Sequence, residues 1–158
     1  MALTKIKGEG IDGGTISTET AGTGNLILGS TAGDSIASGG NYNTCIGDIA
    51  GTAITTGDYN VTVGYNAGTA ITTGVQNTSV GYNSLTTNTT GSDNVAVGLN
   101  ALKFNTTASN NTAVGTSALI TNSTGAYNVA IGKNCASSNT TGADNTAVGG
   151  YSLNANTT

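Results

Sequence analysis

NVAVG at residues 94–98 is followed by NTAVG at 111–115, NVAIG at 128–132 and NTAVG at 145–149. Read toward the N-terminus, the same unit is NTSVG, NVTVG, NTCIG and NLILG. The closing glycines are Gly29, Gly47, Gly64, Gly81, Gly98, Gly115, Gly132 and Gly149, so the first spacing is 18 residues and every later one is 17. A fixed short period is the mark of a stacked repeat architecture, and it decides the fold class before any local propensity is weighed.

Other columns keep the same register. A small residue stands three places after the glycine, as in Ala50, Ala67, Ser84, Ala101, Ala118 and Cys135. The next position is Gly33, Gly51 and Gly68 early in the chain and Leu85, Leu102, Leu119 and Leu153 later. A second glycine follows at Gly39, Gly57, Gly74, Gly91, Gly125 and Gly142, with Ala108 as the exception, and a Thr-Thr pair usually precedes it.

Each column has a physical reading. The branched residues Val63, Val80, Val97, Val114, Ile131 and Val148 are expected to be the inward knobs of short strands, the repeat core. Their small predecessors, such as Thr62, Ala96 and Ala130, would then lie on the opposite face. That face is expected to be closely covered, with another chain as the candidate cover. Gly47, Gly64, Gly81, Gly98, Gly115, Gly132 and Gly149 suit corners that need positive φ or close backbone approach. Asn43, Asn60, Asn77, Asn94, Asn111, Asn128 and Asn145 suit a stacked amide ladder at a bend.

The expected fold is therefore all-β, a parallel β-solenoid or β-roll with one coil per 17-residue repeat. Successive coils would lie ~4.8 Å apart and make a rod ~35–40 Å long. Residues 25–158 form the repeat shaft and residues 1–24 an attachment or lead-in segment. The final repeat stops one residue short of the next expected glycine, which suggests a piece of a longer fibre. A repeat such as 94–110 offers few large apolar groups: Val95, Val97, Leu99, Leu102 and Phe104. Burying these falls short of the entropy of ordering a whole coil. Several chains packed about an axis would close the gap, so a homo-oligomer is expected, a trimer being the usual closed solution for fibres.

Composition excludes other classes. Charged residues are 8% of the chain, against roughly 25% in ordinary domains, and the net charge is −4. Low charge with many Val, Ile and Thr argues against disorder. All four basic residues are lysines, which gives no footprint for nucleic acid. No apolar run approaches a membrane span. With no histidine there is no Ser-His or Cys-His base, and the acids are scattered over separate repeats, so no enzyme is expected. Asp93 and Asp144 share a column but lie three repeats, ~14 Å, apart, too far for one calcium ion. Cys45 and Cys135 stand about five coils apart, beyond the ~7 Å reach of a disulfide. No cofactor or metal is expected. Tyr59, Tyr65, Tyr82 and Tyr127 fall in repeat columns and are candidates for stacking on a glycan.

TGSDNVAVGLNAL at 90–102 and TGAYNVAIGKNCA at 124–136 resemble repeats of bacteriophage tail fibres, notably from phages of marine and aquatic hosts. MALTKIKGEGIDGGTI at the N-terminus looks like the start of such phage structural proteins. The NVAVG and NVAIG cores are also similar to the repeats of trimeric autotransporter adhesin heads, whose β-rolls have a shorter repeat. The resemblance implies a homotrimeric virion fibre that positions host attachment. Its partners would be further copies of itself, other tail or baseplate proteins, and a host surface glycan. It would insert in no membrane. A bacterial surface adhesin is the first alternative. An ice-binding solenoid is the second, because Thr columns on a β-face can order water.

Overall fold

The structure, a computed structural model, describes the backbone of Ile16 and Ser17 and all of residues 20–158. The charge cluster of the lead-in segment (Lys5, Lys7, Glu9, Asp12 and Glu19) lies outside the described residues. The fold is an all-β parallel solenoid, and no helix occurs among the described residues.

Each repeat supplies one three-residue strand: β2 Leu26–Leu28, β3 Thr44–Ile46, β4 Val61–Val63, β5 Thr78–Val80, β6 Val95–Val97, β7 Thr112–Val114, β8 Val129–Ile131 and β9 Thr146–Val148. These pair in chain order, all parallel, with no crossover. The register follows the sequence period, as in Val63 against Val80 and Val80 against Val97. The short β1, Ile16–Ser17, runs antiparallel to β2 and pairs Ile16 with Leu28. It covers one edge of the sheet with a strand of opposite direction.

The coil between strands is irregular in dihedral angles but regular in bonding. Residues 44–60 illustrate it. Gly51 N–H donates to the Ala67 carbonyl, and Ala53 N–H to that of Thr69, each in the next coil. Gly64 N–H donates to the Ile46 carbonyl of the coil before. A buried carbonyl or N–H in a turn would be costly if unpaired, and here the adjacent coil pairs it.

The corners use the left-handed region at fixed columns. In residues 95–111 these are Asn100 (φ 57°), Leu102 (φ 49°) and Asn110 (φ 61°), besides Gly98 (φ 134°). Asparagine tolerates this region, while a leucine there is strained. A Cβ added at Gly98 would meet the Gly115 carbonyl oxygen at 2.6 Å. That corner requires glycine in both the dihedral and the spatial sense.

The faces of the strands are opposite to the sequence expectation. The middle residue is the inward one: Cys45, Thr62, Ser79, Ala96, Ala113 and Ala130 are all buried. Val63, Val80, Val97 and Val114 point outward and are half-buried, Ile131 is 41% exposed and Val148 66%. The column expected to be the repeat core is thus the outer wall of the sheet. The reason is the thinness of the coil. A Cβ placed on Gly51 would lie 2.7 Å from Cys45 Sγ, and one on Gly68 2.6 Å from Thr62 Cγ2. The turn opposite the strand comes close, so the inward side chain is small from Cys45 onward, Ile27 in the first coil being the larger exception. The small-residue face is therefore closed by the chain's own coil, without another molecule.

The core is made from four other inward columns. Ala32, Ala50, Ala67, Ala101 and Ala118 form one. Ile36, Ile54 and Ile71 fill the interior in the early coils, and Leu85, Leu102 and Leu119 fill it in the later ones. The first asparagine column and a second, described below, complete the wall.

Candidate functional site

The most ordered polar feature is an amide ladder along the length of the rod. Asn94 shows its geometry. Its backbone N–H and its Nδ2 both donate to Asn77 Oδ1, each at 3.1 Å, and Nδ2 also donates to the Ala108 carbonyl at 2.9 Å. Asn94 Oδ1 in turn accepts from Asn111 N at 3.0 Å and Asn111 Nδ2 at 3.3 Å. The backbone-to-Oδ1 bond recurs from Asn43 through Asn60, Asn77, Asn111 and Asn128 to Asn145. Asn25 stands at its head and accepts from Asn43 N. These side chains are buried except at Asn145, which is half-exposed.

A second ladder runs beside the first in the later coils only. Asn105 Nδ2 donates to Asn88 Oδ1 at 2.8 Å, Asn122 to Asn105 at 3.2 Å and Asn139 to Asn122 at 2.9 Å. The two ladders share acceptors. The Ala108 carbonyl takes Nδ2 of both Asn94 and Asn105, and the Gly125 carbonyl takes that of Asn111 and Asn122. The signal for this ladder is an asparagine three residues before the second-glycine column, but Ile54 and Ile71 occupy the column earlier.

Hydroxyls make a third row. Thr55 Oγ1 donates to the Thr72 carbonyl, Thr72 to Thr89, Thr89 to Thr106 and Thr140 to Thr157. The first threonine of each doublet is thus tied to the next coil. The second one (Thr56, Thr73, Thr90, Thr107, Thr124 and Thr141) is exposed, one per coil.

The tyrosines stack on each other. The rings of Tyr42 and Tyr59 lie 5.1 Å apart at 11°, and those of Tyr65 and Tyr82 5.6 Å apart at 16°. Their faces are turned along the rod, so each ring occupies a face of its neighbour. Tyr127 stands apart and is 62% exposed, with Asn110 and Asp144 in its column. The structure does not bring Tyr59, Tyr65, Tyr82 and Tyr127 together as one platform.

The ionisable groups do not converge. No group of three His, Cys, Asp or Glu residues that could hold a metal occurs among the described residues. Asp48 is exposed, and the Ser30 hydroxyl, with help from Thr31, holds its carboxyl below the usual range. Burial pushes the Cys45 thiol up, partly offset by a bond to Thr62. Burial also raises Cys135, whose Sγ donates to the Ala147 carbonyl at 3.2 Å. Both thiols are free. No helix among the described residues is long and apolar enough to cross a membrane.

The remaining surface of note is the outer wall of the sheet. Two rows form it along β2 to β9: Leu26, Thr44, Val61, Thr78, Val95, Thr112, Val129 and Thr146, and beside them Leu28, Ile46, Val63, Val80, Val97, Val114, Ile131 and Val148. Neither row contains a charged residue. Tyr65, Tyr82 and Leu99, all exposed, border it. These features define the class as a parallel β-solenoid with an uncharged, β-branched sheet face. No protein-family model, curated protein or solved structure matches the chain.

Proposed function

We propose that the chain is part of a structural fibre, a tail-fibre shaft of a phage virion that positions host-attachment elements, and that it works as a homo-oligomer, a trimer being favoured. The observation that carries the reading is the outer wall of the sheet. At ~4.8 Å per coil it is ~35 Å long, and about 10 Å of width gives on the order of 350 Å². The largest apolar patch of an ordinary monomer is of about this size and is often functional; here the patch is an unbroken strip, one row of Val and Ile beside a row in which Val and Thr alternate from Thr44 onward. Its period is that of the coil, so a second copy at equal height meets it row for row. The likeness of residues 90–102 and 124–136 to phage tail-fibre repeats supports the virion assignment. The scattered acids and the absence of histidine support a structural role over a catalytic one.

The test is mass in solution by light scattering, at micromolar concentration. Three times the 15.3 kDa of the chain is expected, and a stable monomer would overturn the oligomer. Labelling the protein in intact particles addresses the virion assignment: signal confined to the tail is expected, and absence from the particle would overturn it.

The exposed row Thr56 to Thr141 favours a second reading, an ice-binding solenoid, since one free hydroxyl per coil gives a regular ladder toward water. Thermal hysteresis in a freezing assay is its signature, and freezing indistinguishable from buffer removes it.

A further inference from the structure

The coils do not all fill their interior in the same way. In residues 26–77 a glycine follows the buried alanine and an isoleucine stands three residues later, as in Gly51 with Ile54 and Gly68 with Ile71. The inward strand residue facing that glycine is comparatively large: Ile27, Cys45 or Thr62. From residue 78 onward all three positions change together. Leucine replaces the glycine (Ala136, beside Cys135, is the exception), asparagine replaces the isoleucine, and the inward strand residue shrinks to Ser79, Ala96 or Ala113. The exchange conserves packed volume within a coil. It leaves a mismatch where the two kinds of coil meet.

We infer that the rod consists of two separately cooperative blocks, residues 26–77 and 78–158, which part at the boundary between Asn77 and Thr78. Three observations converge there. The buried apolar side chains fall into two clusters with no shared member, one ending at Ile71 and the other beginning at Leu85. Between them the inward strand residues are hydroxylic, and the buried Ala67 belongs to neither cluster. Thr62 and Ser79 are buried, and Ser79 Oγ spends its bonds inside its own coil, on Ser84 Oγ at 2.6 Å and the Ser84 carbonyl at 2.9 Å. The second amide ladder also starts at the boundary. Asn88 Nδ2 donates to the Gly91 carbonyl at 2.9 Å, but the coil before it offers Ile71, which has no acceptor. Each later member, such as Asn105, donates both to a carbonyl and to the preceding amide. What does cross is the backbone, the first ladder and the outer rows: Gly68 N–H to the Ser84 carbonyl, Asn94 N–H to Asn77 Oδ1, Thr72 Oγ1 to the Thr89 carbonyl, Asn66 Nδ2 to Asn83 Oδ1, and the Tyr65–Tyr82 stack. Register is therefore maintained through a plane where core cohesion is least.

Stability in a stacked repeat is a sum of unit terms and nearest-neighbour terms. A plane with a weak neighbour term divides it into cooperative units that open at different free energies. A fibre with such a plane yields there under load and keeps the rest of its length folded.

Native-state hydrogen exchange, followed by mass spectrometry on the full chain in rising denaturant, tests this. Amide protection is expected to be lost in two groups, 26–77 and 78–158, with the step between Asn77 and Thr78. One concerted loss over the whole rod, fraying without a step, or a step elsewhere would overturn it. A triple variant then tests the cause. Thr62→Ala, Gly68→Leu and Ile71→Asn together convert residues 61–77 to the second kind of coil. The step is expected to move one coil toward the N-terminus, to lie between Asn60 and Val61. A folded variant with an unmoved step would overturn the origin in the core, and if the variant fails to fold the position of the wild-type step still decides.

Discussion

Replacing Asn94 by alanine removes one rung from the middle of the first amide ladder, and the structure says which groups lose a partner. The Ala108 carbonyl keeps Asn105 Nδ2 at 2.9 Å. Asn77 Oδ1 keeps the backbone N–H of residue 94 at 3.1 Å. Asn111 Nδ2 keeps the Gly125 carbonyl at 2.9 Å. The backbone N–H of Asn111, however, loses its acceptor, Asn94 Oδ1 at 3.0 Å, and it is buried. One orphaned buried donor costs about 1–3 kcal/mol, and the other lost bonds add roughly 0.5–1.5 kcal/mol each. Three such bonds are lost (Asn94 Nδ2 to Asn77 Oδ1 and to the Ala108 carbonyl, Asn111 Nδ2 to Asn94 Oδ1), so the expected loss is about 2.5–7.5 kcal/mol. The same change at Asn145, a half-exposed rung, removes one side-chain bond, to Asn128 Oδ1 at 3.1 Å, so the loss there is about 1 kcal/mol or less. Urea unfolding followed by circular dichroism reads both as shifts of midpoint at constant slope. Asn94→Asp should be worse than Asn94→Ala, because it buries a carboxylate and removes both amide donors. Equal shifts for Asn94→Ala and Asn145→Ala would refute the view that the ladder holds the coil interior.

The two faces of a strand can be separated with a pair of variants. Val97→Asp, on the outer wall, should lower the mass of the assembly while leaving the coil's circular dichroism in place; Ala96→Val, on the inner face beside Leu102, should cost about 1–3 kcal/mol by overpacking, and the reverse ranking in a melt would place the core on the wrong side. Leu102→Gly relieves a left-handed φ of 49°, worth about 1–2 kcal/mol, but removes a fully buried side chain worth about 2–5 kcal/mol, so a net loss of roughly 2 kcal/mol is expected in chemical unfolding. Deleting residues 95–111 removes one whole period and should give a shorter rod with the same spectrum, whereas deleting 95–110 shifts the register of every later coil and should unfold them. For Cys45, the folded thiol ionises above its ordinary value of 9.0; the unfolded chain then loses its proton first, so stability falls as pH rises past that value and is unaffected below it. Thiol labelling at neutral pH should wait for denaturant, and rapid labelling of Cys45 in the native protein would contradict its burial.

The period, the strand positions and the corners can be read directly from the chain, because glycine and asparagine answer constraints that only their side chains meet. Gly98 has a neighbouring carbonyl where a Cβ would stand, and Asn94 has a carbonyl and an amide oxygen at fixed places. The facing of the strands could not be read. Val95-Ala96-Val97 is equally consistent with a Val-lined or an Ala-lined interior until the distance to the opposite turn is known, and that distance is a property of the closed coil. Within the strand, size does not report burial: the larger Val97 faces outward and Ala96 inward, while the interior volume is filled from the turn by Leu102. The second ladder is masked in the sequence because its column holds Ile54 and Ile71 before it holds Asn88. Only the coupled change at the leucine column shows that both residues answer one packing problem. The tyrosine columns were visible, but not that the rings would turn to face one another.

The amide-to-amide bonds of both ladders all point the same way. From Asn60 to Asn145 and from Asn105 to Asn139, Nδ2 gives a hydrogen to the Oδ1 of the amide one coil nearer the N-terminus. The bond dipoles therefore add from coil to coil instead of cancelling. The rod is an arrow, with chemically different tip and tail, and the direction of the polypeptide is written into its side chains as well as its backbone. Joining two such rods tip to tip would set like ends of the dipoles against each other, while joining tip to tail continues the series. A solenoid built this way cannot be reversed end for end without changing what each end presents.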